Sequence, residues 1–164
     1  MSYTLKRKVL AATMVAGASL SVLSLPVAAN AAPGNGGCYG GTITSASSNP
    51  FARVLSGSFN NCTIPLMPGV SAGTIQAEYR GDPGQQFFGL TDQPADGVIT
   101  WSNGEQSRIA GTVGARVNIF AFQTHDIFDI VSGAGAGRKV TITSVPIDSQ
   151  SPIAARSVIS VNVA

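Results

Sequence analysis

The run Thr74-Ile75-Gln76-Ala77-Glu78-Tyr79-Arg80 decides the fold class. Ile75, Ala77 and Tyr79 point one way, and Gln76, Glu78 and Arg80 point the other. That is the period of two expected of a β-strand with one wet face. A helix would set Ile75 and Ala77 about 200° apart, on different faces. The same alternation recurs on the C-terminal side. Val98 to Trp101 and Gln106 to Val113 flank Ser102-Asn103-Gly104-Glu105, which reads as a hairpin with Asn103 and Gly104 at its tip. Lys139 to Val145 and Ser157 to Val163 alternate and are rich in β-branched residues.

Arg116 to Gln123 carries large apolar groups on both faces and reads as a central strand buried on both sides. Gly41 to Ser45, Arg53 to Phe59 and Ile127 to Val131 are further strand candidates; the last also fits one helical face. Beyond residue 31 no stretch shows helical periodicity with caps. The expectation is an all-β fold, an antiparallel β-sandwich or small barrel of about eight or nine strands. Arg80 to Gly97, with Gly81, Pro83, Gly84, Pro94 and Gly97, reads as a long loop that also holds Phe87 and Phe88. Such a loop either folds back onto the body or binds something.

The start of the chain reads differently. Lys6, Arg7 and Lys8 precede an uncharged apolar stretch, Val9 to Leu25, then Pro26 and the small-x-small site Ala29-Asn30-Ala31. That order is a secretory signal peptide over residues 1–31. Residues 32–37 read as a flexible leader and residues 38–164 as a single β domain. Without its three basic residues the chain keeps seven of ten Lys and Arg against eight acids, and the net charge moves from +2 to −1. No basic cluster remains for nucleic acid. After cleavage no apolar segment long enough to span a membrane remains. Export makes a Cys38–Cys62 disulfide the default.

The export signal, the Gly-rich leader ending in Cys38, Gly97-Val98-Ile99-Thr100-Trp101-Ser102-Asn103-Gly104, and the Gly-Ser-Phe segment before Cys62 resemble small secreted β proteins of actinobacteria. The resemblance implies a fold and a secreted or envelope-associated address. It carries over no functional residues.

Chemistry-bearing patterns are sparse. His125 is the only histidine, followed by Asp126, and a serine hydrolase would have to use it with Ser102, Ser107 or Ser132. No Gly-x-Ser-x-Gly elbow accompanies it. Glu78, Asp82, Asp92, Asp96 and Glu105 are the carboxylates available for glycoside hydrolysis. Asp82, Asp92 and Asp96 offer hard oxygen ligands for calcium, without Asp-x-Asp-x-Asp-Gly spacing. Gly133 to Lys139 is glycine-rich but lacks the phosphate-loop pattern and reads as a hairpin loop. No cofactor and no metal are expected. Trp101, Tyr79, Phe87 and Phe88 are the candidate binding residues, a stacking surface for sugar or an apolar patch for a partner; Trp101 also alternates in phase with Ile99, as a core residue would. These features point to a secreted, non-catalytic binding or interaction protein. Its expected partner is a protein or a polysaccharide. The alternatives are a carbohydrate- or cell-wall-binding module and a small hydrolase using His125.

Overall fold

A computed structural model describes residues 36–49, 52–80, 92–118, 123–147 and 154–164. Nine strands run in chain order: β1 (Gly36–Cys38), β2 (Gly41–Asn49), β3 (Ala52–Phe59), β4 (Gly73–Arg80), β5 (Gln93–Trp101), β6 (Gln106–Asn118), β7 (Gln123–Gly133), β8 (Lys139–Pro146) and β9 (Ala155–Val163). No helix occurs among the described residues. From β2 to β9 each strand pairs antiparallel with the next. β9 then returns to β2, with Thr42–Thr44 opposite Ser157–Ala155, and closes the sheet. The sheet is therefore an eight-stranded closed antiparallel barrel with one extra strand. β1 lies beside β9 further along, in the register that β2 begins: Gly36 faces Val163 just as Ile43 faces Arg156. Closure leaves β2 to β9 without a free edge strand.

The strands are steeply inclined. Stepping from partner to partner, Tyr79 leads to Ala95, Gly111, Phe128, Val140, Val163 and Gly36. Tyr79 is next to last in β4, whereas Val163 ends β9 at the opposite mouth. A path around the wall thus descends from one mouth to the other, as the tilt of a closed barrel requires.

Alternation sets what lies inside. Every second residue of β4 is buried, as its sequence predicts. Ile43, Leu55, Phe59, Ile75, Ile99, Ile109, Phe128, Ile130, Ile142 and Val161 fill the interior. The outer face is polar: Thr42, Thr74, Gln76, Glu78, Gln106 and Arg108 are exposed. At Gly97 and Gly111 neighbouring strands come too close for a side chain. A Cβ there would lie 2.2 Å from the Gln76 carbonyl oxygen and 2.1 Å from that of Ile127, so no side chain fits.

One mouth is tied shut. Cys38 and Cys62 form a disulfide. Gly37 and Thr63 exchange backbone hydrogen bonds of 2.9 and 2.8 Å. Ile64, Met67 and Val70, from the segment between β3 and β4, are buried against the core. Ser102 Oγ accepts from the backbone N–H groups of Ser71 (2.9 Å) and Ala72 (3.2 Å), pinning that segment to the β5–β6 turn.

The 102–105 hairpin forms as read. Gly104 takes φ 86°, and Trp101 N–H donates to Glu105 O at 2.9 Å. Ile127 to Val131 is strand, the middle of β7. Three readings change. Arg116 to Gln123 is not one central strand: β6 runs on to Asn118, β7 begins at Gln123, and Asn118 pairs with Gln123. Apolar residues on both faces misled because the run ends one strand and begins the next. Gln93 to Gly97 belongs to β5, not to a loop. Pro94 is tolerated because pairing with β4 stops at Ala95, where a missing N–H costs no ladder bond on that side. Gly36 and Gly37 are buried strand residues, and a Cβ on Gly37 would meet the Val161 carbonyl oxygen at 2.1 Å.

Candidate functional site

The open question is what the other mouth holds. There the inward positions change character. Ser45 on β2, Arg53 on β3, Tyr79 on β4, Gln93 on β5, Thr124 and Asp126 on β7, Ser144 on β8 and Arg156 on β9 all lie within about four residues of their strand ends at this mouth. Alternation puts each on the interior face. Arg53, half-buried, shares the face of Tyr79, its direct cross-strand partner. The others are buried. Seven strands thus contribute to one polar layer above an apolar core.

An ion pair anchors the layer. Arg156 and Asp126 are both fully buried. Arg156 Nη1 donates to Asp126 Oδ1 at 3.2 Å, and Nη2 lies 2.9 Å from Oδ2. The Gly114 backbone N–H donates to the same Oδ1 at 2.9 Å. A carboxylate met end-on by a guanidinium and by a backbone donor is well compensated for its burial. Other groups here are not. The hydroxyls of Ser45, Tyr79 and Ser144, and Nε of Arg156, are buried with no hydrogen-bond partner among the described residues. Such orphans are uncommon in folded proteins, where buried polar atoms are nearly always satisfied.

The residues singled out from sequence are scattered. Trp101 is 2% exposed at the tied mouth, its Nε1–H donating to Ser107 Oγ at 2.7 Å. Tyr79 is buried at the polar mouth. The two rings sit at opposite ends of the barrel. Phe87 and Phe88 lie outside the described residues, as does Asp82. His125 lies on the outer side of β7, half-buried, with Nδ1 3.2 Å from Thr143 Oγ1. Asp126 points inward, so consecutive residues put His125 and Asp126 on opposite faces of the wall. Ser107, another serine of the hydrolase reading, is held between Trp101 and the Ala134 carbonyl. Ser102 is engaged by Ser71 and Ala72. Glu78 and Asp96 face each other across β4 and β5 on the outside. Glu105 caps the 102–105 turn, accepting from Asn103 Nδ2 at 2.7 Å. Among the described residues no group of three or more His, Cys, Asp and Glu side chains is placed to hold a metal.

Sequence reasoning missed the centre of the polar layer, yet a signal was present. Asp126 is in phase with Phe128 and Ile130, and Arg156 with Val158. Opposite charges on the buried phase of two strands announce a buried pair.

No protein-family model, no curated protein and no solved structure matches the chain.

Proposed function

We propose that this is a secreted, non-catalytic binding protein that takes a small polar ligand at the polar mouth of its barrel. One observation carries the reading: three hydroxyls and the Arg156 Nε are buried there with no hydrogen-bond partner among the described residues, while the opposite mouth is tied by a disulfide. Mouths of β-barrels are common ligand sites, and a few convergent polar groups on apolar walls are their usual make-up. Eight strands give an interior wide enough for side chains or one small ligand. The separation of His125 from Asp126 favours binding over hydrolysis. The signal-like start and the disulfide favour an oxidising, extracellular setting. The outer face is polar and the interior apolar, the inverse of a lipid-embedded barrel, which favours a protein that works in water.

The test is an NMR titration of the oxidised protein with amino acids, monosaccharides and short carboxylic acids. Chemical-shift changes should cluster on Ser45, Tyr79, Ser144 and Arg156. Changes confined to the outer wall would sink the proposal.

A second reading has its own observation. Ser56, Thr74, Gln76, Val98, Thr100 and Gln106 line a shallow uncharged groove on the outside of β3 to β6. Neutral hydroxyls and amides in a row suit a polysaccharide. Retention on peptidoglycan, chitin or cellulose that Gln76→Lys abolishes would establish it; no retention on any of them would remove it.

A further inference from the structure

We infer that the group taken at this mouth is a carboxylate, held by the side edge of the Arg156 guanidinium. The inference rests on the mouth being the binding site and names the chemistry it recognises. A guanidinium has two edges that each present a pair of parallel N–H donors. Its end edge, Nη1 and Nη2, is turned to Asp126. Its side edge is Nε with the remaining hydrogen of Nη2. Among the described residues Nε has no hydrogen-bond partner, and Nη2, 2.9 Å from Asp126 Oδ2, meets that carboxylate alone. The side edge is therefore a buried bidentate donor that no described residue answers.

Its surroundings suit the same ligand. Arg156 faces Ile43 on β2 and Pro146 on β8. Ser45 and Ser144 lie two residues from those partners, on the same inner face, so both are diagonal neighbours of Arg156 at about 7–8 Å between Cα atoms. Both hydroxyls are buried and unpartnered. Every one of these groups can donate, and a carboxylate accepts from several donors at once. Asp126 neutralises the guanidinium only from one side. A neutral amide matches the guanidinium edge poorly, because it offers one oxygen to two parallel donors and turns its NH₂ toward the other. A carboxylate brings two oxygens and one charge to this set, whereas a phosphate would bury further oxygens and a second charge with no donors to meet them.

The experiment compares benzoate, benzamide and inorganic phosphate, following the Arg156 Nε–H cross-peak and the backbone signals of Ser45, Tyr79 and Ser144. Benzoate should move the Nε–H signal and saturate, with benzamide at least 10-fold weaker. Ser45→Ala with Ser144→Ala leaves the ion pair intact and should weaken benzoate about 5- to 30-fold, the loss of one to two hydrogen bonds. Benzamide or phosphate acting at the mouth as well as benzoate does would overturn the carboxylate assignment and leave the mouth as the binding site. Benzoate that leaves the Nε–H signal unmoved overturns the assignment to Arg156, whatever the other residues show.

Discussion

Trp101 and Tyr79 are the same kind of residue in two different settings. Each is a large aromatic ring with one polar atom, and each is almost fully buried inside the barrel. At the tied mouth, Trp101 Nε1–H meets Ser107 Oγ at 2.7 Å, and Ser107 in turn donates to Ala134 O. At the polar mouth, the Tyr79 hydroxyl has no hydrogen-bond partner among the described residues. At the tied end no buried side-chain polar atom among the described residues lacks a partner. The other end buries hydroxyls and a guanidinium nitrogen that no described residue pairs with. On the proposed reading, stability and recognition occupy opposite ends of one wall.

The sharpest way to break this contrast is at the ion pair. Arg156→Met leaves the Asp126 carboxylate buried and alone, and should cost about 3–5 kcal/mol in urea unfolding. Adding Asp126→Leu should recover part of that loss, leaving about 1–3 kcal/mol for the orphaned Gly114 N–H. If the double variant is as unstable as the single one, the pair is part of the framework and the division between ends fails. Next in size is the tie itself. Replacing both Cys38 and Cys62 with Ala should cost about 3 kcal/mol, given their separation of 24 residues. Amide exchange should then speed up at β1 and residues 60–72 before it does at the polar mouth. Smaller still, Trp101→Phe should cost about 1–3 kcal/mol through a lost hydrogen bond and lost volume. Tyr79→Phe is the counterpart, and the same denaturation curve should shift by less than about 0.5 kcal/mol, because no bond is lost. A large cost for Tyr79→Phe would mean that its hydroxyl already has a role in holding the fold.

The strands were largely legible because one face of each is wet. β4 reads correctly from Thr74 to Arg80 since a polar outer face and an apolar inner face alternate without exception. Closure was not legible. A sandwich and a barrel share the alternation, and what separates them is the pairing of Thr42–Thr44 with Ser157–Ala155, more than 110 residues away. The end of β6 was obscured because its apolar residues run straight into those that precede β7. The candidate site was hidden for a different reason. Aromatic residues drew the search, since they bind by surface. The polar layer is assembled one residue per strand, and its members become neighbours only when the sheet curls. Ser45 and Ser144 are unremarkable in sequence. Their position beside Arg156 comes from β9 pairing with β2 and β8 at once.

That double pairing has a consequence for how the chain is made. β2 to β8 form a ladder of neighbours, each strand finding a partner that has just been synthesised. The seam between β2 and β9 joins the earliest part of the domain to the latest. Until residues 155–163 have emerged from a ribosome or a translocation pore, the sheet is an open ribbon with both margins unpaired. The Cys38–Cys62 loop lies wholly in the early part, so it can be oxidised while the ribbon is still open. The Arg156 guanidinium arrives with the last strand. Locking of the sheet and completion of the polar mouth are therefore a single event, and a chain truncated before β9 would lack both.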